Sequence, residues 1–395
     1  MSFKSKIIAG RLAEIYGGPE REVMEVRSLL SGKDVIDLGY GEPDFDTPEH
    51  IRKAAKQAID DGYTHYVLPV SGFSDLRQAI AEKLENENKI KVDPNKNICV
   101  TAGVQEGINV VMHTILNPGD EVIIADPCYY THITAISLAG GIPAQVPASE
   151  EREYRIDPEE LGNSIKTRTK AILLVSPDNP TTSVLSKEDL KIISEIAVRN
   201  DLLVVTDEIY EKLLFDGLKH ETIAAMPGME ERTIILNGFS KAYAMCGWRV
   251  GYIAAPEHIM RYITGMHSQF VIGANAIAQK AALAALTGPQ DSLRKMVSEF
   301  QERRDVFVAG LNKIEGIKCK KPKGTYYVYS NIKDVGVSSL EFAKGAAKKA
   351  NIILYPGTAF GKNGEGYVRF SIVRKVEVLK EYLQRLEKYV ESLPS

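Results

Sequence analysis

Short apolar runs separated by longer amphipathic stretches organise most of the chain. The runs are Asn97–Thr101, Glu121–Ala125, Ala171–Val175, Leu202–Thr206, Thr233–Leu236 and Val250–Ala254. Several lack polar alternation, the pattern of strands covered on both faces in a parallel sheet. Between them the spacing predicts helices. Gly103–Leu116 opens after a glycine and closes at Asn117-Pro118-Gly119, and Lys187–Arg199 follows Ser186 as N-cap. Such alternation builds an α/β fold, a mostly parallel sheet with helices on both faces.

After about residue 280 the pattern changes. A long charged helix (Pro289–Ile314) leads to Thr325–Ile332, which alternates like a half-exposed strand, then a helix, two further strand runs and a closing helix. This predicts a second, smaller α+β domain. The expected division is an N-terminal segment (1–45) packing with the small domain, a large domain (46–285) and the small C-terminal domain (286–395).

Length and composition agree with two globular domains: 395 residues, 44% hydrophobic and 26% charged. The net charge of −3 and the lack of a basic block argue against nucleic acid as a partner. No run approaches the length of a membrane span. Met1–Arg11 has mixed charge and no apolar secretory core, so a cytoplasmic location is expected. Cys99, Cys128, Cys246 and Cys319 are widely spaced, as reduced thiols are, and no metal-ligand spacing occurs.

Ligands in open α/β sheets bind at the carboxyl ends of the strands. The first run leads into Gly103-Val104-Gln105 at a helix start, where free N–H groups suit a phosphate. The second leads to Tyr129, a flat ring able to stack on another. The third leads to Asn179 in a loop framed by Pro177 and Pro180, and the fourth to Asp207 and Tyr210. A carboxylate ending a buried strand is costly unless paired. The fifth leads to Ser240 and Lys241, with Arg249 eight residues further on. Taken singly, each is more often an ordinary turn, packing or surface residue. Together they ask for a ligand with a phosphate, a flat ring, a ring nitrogen wanting a carboxylate, a phenolic oxygen and an aldehyde. Pyridoxal 5'-phosphate (PLP) has all five.

Five stretches in order carry a family resemblance: Gly41-Glu42-Pro43-Asp44-Phe45-Asp46-Thr47-Pro48, Asn179-Pro180-Thr181, Asp207-Glu208-Ile209-Tyr210, Ser240-Lys241 through Gly247-Trp248-Arg249-Val250-Gly251-Tyr252, and Tyr367-Val368-Arg369-Phe370-Ser371. Over nearly its whole length the chain resembles a class I/II aminotransferase of PLP fold-type I. The resemblance implies that Lys241 forms a Schiff base with the cofactor and then shuttles a proton. It implies Asp207 on the pyridine nitrogen, Asn179 and Tyr210 on the ring oxygen, and Tyr129 stacked on the ring. Gly103, Val104, Ser240 and Arg249 would hold the phosphate. Arg369, helped by Asn179 and the Gly41 backbone, would bind the substrate α-carboxylate. Tyr66 resembles a tyrosine that reaches the partner subunit's phosphate, which implies a homodimer with shared sites.

Three departures stand out. Asn-Pro-Thr-Gly becomes Asn179-Pro180-Thr181-Thr182, Gly238 stands where a serine is common, and the Tyr66–Gly72 spacing is one residue longer than usual. A lysine that marks some aspartate-using relatives is Gln105 here, so the donor stays open between aspartate, aromatic and other neutral amino acids, with 2-oxoglutarate as a plausible acceptor. Two alternatives remain. A C–S lyase of the same fold would share most of these residues. A PLP-domain ligand sensor would want an added DNA-binding module, for which no basic recognition helix is visible. A dinucleotide site would want Gly-x-Gly-x-x-Gly after the first strand, and Leu38–Pro43 does not supply it.

Overall fold

The computed structural model describes residues 12, 20–29 and 34–393. Much of the segment read as 1–45 therefore lies outside the described residues. The described part begins with the helix Glu20–Ser28 and the short strand β1 (Ile36–Asp37). Strands β2 (Ile98–Thr101), β3 (Glu121–Asp126), β4 (Ile142–Pro147), β5 (Thr169–Val175), β6 (Leu203–Asp207), β7 (Thr233–Gly238) and β8 (Gly251–Ala254) form one seven-stranded sheet. Their order is β2-β8-β7-β6-β5-β3-β4, and β8 alone runs against the rest.

The predicted strands and helices recur in the structure within two residues, except that the long helix predicted over Pro289–Ile314 ends three residues earlier, at Leu311. Val204, Val205, Ile234 and Leu236 are fully buried, and each such side chain contributes about 1.5–3 kcal/mol over an exposed one. The helix Lys187–Arg199 starts on a full capping box between Ser186 and Asp189. β4 escaped the sequence reading. It lies at the sheet edge, contains Pro143 and Pro147, and is only partly buried, so it carries no continuous apolar signal.

Beyond the helix Asp291–Leu311, strands β9 (Tyr327–Asn331), β11 (Tyr355–Pro356) and β12 (Tyr367–Ser371) form a three-stranded antiparallel sheet. β10 (Ile352–Ile353) pairs in parallel with β1, so the described N-terminal residues join this second body. One expectation needs correction. Thr325–Ile332 is not half-exposed: from Thr325 to Ser330 every side chain is buried. Its second face meets Tyr210 and Tyr154 of the other body rather than water, through ring contacts with Tyr326, Tyr327 and Tyr329.

Candidate active site

The carboxyl ends of the parallel strands frame a cavity of about 540 Å³. β6 delivers Asp207, and β7 runs on to Ser240 and Lys241. Because β8 is antiparallel, Arg249, two residues before it, emerges at the same edge. Ten of the residues singled out in the sequence line this cavity: Gly41, Val104, Tyr129, Asn179, Asp207, Tyr210, Ser240, Lys241, Arg249 and Arg369.

Lys241 Nζ donates to the Gly41 carbonyl at 2.9 Å and lies 3.7 Å from Cys246 Sγ. Asp207 is buried and doubly held. The Ile209 N–H donates to its Oδ1, and His132 Nε2 sits 3.0 Å from its Oδ2. Sequence reasoning missed His132. It is placed by the helix Tyr130–Leu138, and its ring meets that of Tyr129 edge-on. The available signal was the spacing of a histidine three residues after a cavity aromatic. Tyr210 sits 3.2 Å from the Tyr327 hydroxyl. Burial, then the charge and hydrogen bond of Tyr327, push its phenol well above the usual range, so it is a neutral hydroxyl.

Gly103 does not line the cavity itself. It precedes the helix Val104–Ile115 with φ of +81°, a conformation open to glycine, and no side chain caps the first N–H groups. A Cβ there would fall 2.6 Å from Arg249 Nη2. Glu106 steadies this turn by accepting from the Ala102 N–H at 3.0 Å, and His267 lies at 3.0 Å on its other oxygen. Gly238 has a packing reason. It pairs with Gly251 across β7 and β8, and a Cβ would come within 2.9 Å of the Gly251 Cα.

At the opposite end Arg369 enters from β12. Its Nη1 donates to Asn179 Oδ1 at 2.8 Å and its Nη2 to the Gly39 carbonyl at 2.5 Å, while Nε is buried without a partner. The guanidinium lies 4.2 Å from the Tyr327 ring centre and 4.7 Å from that of Phe360. The backbone oxygen beside Arg369 is thus that of Gly39. The Gly41 oxygen is engaged by Lys241 and by Tyr326, at 2.8 Å. Asp178 anchors the Asn179 loop by accepting from Thr181 N–H and hydroxyl. Burial raises its carboxyl to about 6 against those hydrogen bonds.

Tyr66 stands apart. It is 76% exposed and lines a separate cleft with Gly273–Ile277, not the Lys241 cavity.

The donor set fits PLP. One cavity holds a primary amine, a carboxylate held by histidine, an uncapped helix start beside an arginine, and an arginine framed by an asparagine. The close approach of Arg249 to Gly103 leaves a cradle that a side chain at 103 would fill. Residues 33–386 match the family model described as aminotransferase class I and II. The chain belongs to this family. Class I and II aminotransferases depend on PLP, and this member is a PLP-dependent transaminase.

Among its relatives is an aspartate aminotransferase of Pyrococcus abyssi, 43% identical over 93% of this chain and 95% of that protein. An aromatic-amino-acid aminotransferase of Thermococcus litoralis is 40% identical over 96% of this chain and 97% of its own. The solved alanine aminotransferase of Pyrococcus furiosus is 31% identical, covers 98% of this chain and 100% of that one, and superposes with a TM-score of 0.91.

Proposed function

We propose that this aminotransferase moves the amino group of an uncharged, preferentially aromatic L-amino acid to a 2-oxo acid, with Lys241 as its covalent anchor and proton carrier. The carrying observation is the single cavity in which Lys241, Asp207 and Arg369 meet. The donor preference rests on its walls. Tyr40, Tyr130 and Tyr355 line the cavity. Its described cations, Lys241, Arg249 and Arg369, all have other tasks, which leaves none for a second carboxylate.

When bound, PLP supplies an electron sink for the carbanion left at the substrate α-carbon. The residues do the rest. Arg369 presents a planar fork to the α-carboxylate, a two-pronged, charge-assisted contact. Asn179 Oδ1 accepts from Arg369, which leaves the NH₂ end of its amide for the ring oxygen, next to the neutral hydroxyl of Tyr210. Asp207 would hold the ring nitrogen, where its negative charge would favour the protonated ring. His132 holds that carboxylate in place. Lys241 would hold the cofactor's aldehyde and is placed to take the proton of the substrate α-carbon and give it back, as general base and acid. Tyr129 covers the ring, while Ser240, Arg249 and the N–H groups after Gly103 hold the phosphate.

Three further assignments belong to this reading. The described N-terminal residues, 20–29 and 34–45, go with the small domain, while the large PLP-binding domain runs from 46 to 285 and the small one from 286. The enzyme is a homodimer with shared sites. The outward placement of Tyr66 beside Leu68, with Phe270 and Ile272 also exposed, supports a surface meant for a second copy. It works in the cytoplasm; no helix among the described residues is long and apolar enough to cross a membrane.

The test is a half-reaction screen of the purified holoenzyme. Each amino acid is added and loss of the visible cofactor band is followed. Conversion by aromatic donors ahead of aspartate is expected, and Lys241→Ala should lack the band and turnover. Turnover retained in that variant, or aspartate converted fastest, would overturn the corresponding part.

A further inference from the structure

The segment after β6 has two faces. Asp207 and Tyr210 point into the cofactor cavity, whereas Glu208 and Glu211 turn the other way into a buried charge cluster. Glu208 is 1% exposed and Glu211 8%. Thr222 and Thr206 donate to Glu208 Oε1 at 2.6 and 3.3 Å. His220 Nε2 lies 2.9 Å from Glu208 Oε2, an ion-pair distance out of line for a directed hydrogen bond. Lys83 Nζ donates to Glu211 Oε1, and Asn88 Nδ2 to its Oε2 at 3.1 Å. Asn88 also accepts from Lys83 at 2.7 Å.

The carboxylate oxygens of Glu208 and Glu211 and a His220 ring nitrogen lie within 4.8 Å of one another. The Lys83 ammonium already serves as cation on Glu211. Burial alone would lower the His220 pKa, but Glu208 and then Glu211 outweigh burial and the repulsion of Lys83, and the net shift is upward. With His220 protonated, two carboxylates face two cations and the cluster is neutral.

Buried ion networks of this kind cost desolvation and are poor sources of stability, so their geometry needs another use. This one fastens three separate stretches. Lys83 and Asn88 flank the π-helical turn Leu84–Asn88 that ends the helix Ser74–Lys83. Glu208 and Glu211 belong to the loop after β6, and His220 and Thr222 to the stretch that follows. A void of about 10 Å³ separates Lys83 and Glu211 from Asn237 and Gly238, which lead into Ser240 and Lys241. The cluster thus borders the segment leading to Lys241 through this void, and two of its members flank Asp207 and Tyr210 in the chain.

We propose that Lys83, Glu211, His220 and Glu208 form a neutral clamp behind the site, and that Glu211 and His220 are positioning residues which set Asp207 and Tyr210 against the cofactor ring. The proposal rests on the cofactor-contacting roles given above to Asp207 and Tyr210. Removing one partner, as in Glu211→Gln, leaves Lys83 with a neutral partner and lets the loop shift, whereas Glu211→Gln with Lys83→Met removes the stranded charge.

The test uses holoenzyme and three readouts: the pH midpoint of the visible cofactor band, kcat and KM for both substrates, and thermal midpoint. Glu211→Gln and the milder His220→Gln should each move the spectral midpoint by about one pH unit, the scale on which surroundings displace a pKa. Each should lower kcat about 10-fold with little change in KM, as expected for a displaced catalytic group. The double variant should recover thermal stability. Leu161→Ala, buried near the β4 edge, serves as the control that loses stability without moving the spectral midpoint. An unmoved midpoint and unchanged kcat in either folded Glu211 or His220 variant overturns the clamp. Asp207→Ala separates the two claims: if it too leaves the midpoint unmoved, the assignment of Asp207 to the ring has failed; if only Asp207→Ala moves it, the clamp has failed.

Discussion

Arg369→Lys puts a number on substrate recognition. Arg369 is 3% exposed, is aimed by Asn179 Oδ1 and the Gly39 carbonyl, and is sandwiched by the Tyr327 and Phe360 rings. A lysine keeps the charge but offers one point contact where the fork offered two. The lost hydrogen bond to a charged group is worth about 1.5–3 kcal/mol, and the weakened cation–π contact adds about 0.5–1 kcal/mol. Each 1.4 kcal/mol is tenfold, so about 30- to 700-fold weaker binding is expected. The loss should appear equally for amino donor and oxo-acid acceptor, because both carry the same α-carboxylate to the same place. Cofactor affinity should not change, since the proposed role of Arg369 lies with the substrate carboxylate alone. Stopped-flow half-reactions at varied donor, and then acceptor, give both dissociation constants, and fluorescence of the apoenzyme on adding PLP gives cofactor affinity. Equal constants in wild type and variant, or a loss confined to one substrate, would refute the assignment.

Other expectations are more compact. Asp207→Ala should slow single turnover by about 10²-fold or more while cofactor stays attached, on the scale of losing one preorganised electrostatic partner; unchanged single-turnover rates would count against the ring-nitrogen role. His132→Asn should cost less, about 10-fold, because it only orients Asp207, read by the same assay. Lys83, His220 and Lys212 hold the buried Glu211 carboxyl at about 2, against the raising effect of burial and a reference value of 4.5. A depressed carboxyl stabilises the fold above its unfolded pKa, and that contribution fades as pH falls from about 4.5 toward 2. Acid titration of unfolding should therefore be shallower over this window in Glu211→Gln than in wild type. Ser186→Ala removes the cap of the helix Lys187–Arg199 and should cost about 1 kcal/mol in denaturant midpoint, without effect on kcat.

The large sheet was legible because its inner strands are apolar without interruption, and chemistry gathers where such runs stop. Asp207, Lys241 and Asn179 were found in this way. β4 was not, since an edge strand with prolines gives no such run. His132 was missed because a lone histidine inside a helix shows no period, and its link to Asp207 exists only after β3 and β6 are laid in the same sheet. The Thr325–Ile332 alternation was real, but its tyrosines meet Tyr154 and Tyr210 rather than water. Glu208 and Glu211 carry no local mark of burial, and nothing near them in sequence announces that Lys83, more than a hundred residues earlier, lies across from them.

Arg369 lies on a strand of the three-stranded sheet, whereas Asn179 and Lys241 follow strands of the seven-stranded one. A carboxylate seated between them as proposed would therefore also be a rivet joining two hydrophobic cores. Ligand present at a hundred times its dissociation constant adds about 2.7 kcal/mol of linkage. Metabolite supply would in this way set how firmly the protein holds itself together as well as how fast it works.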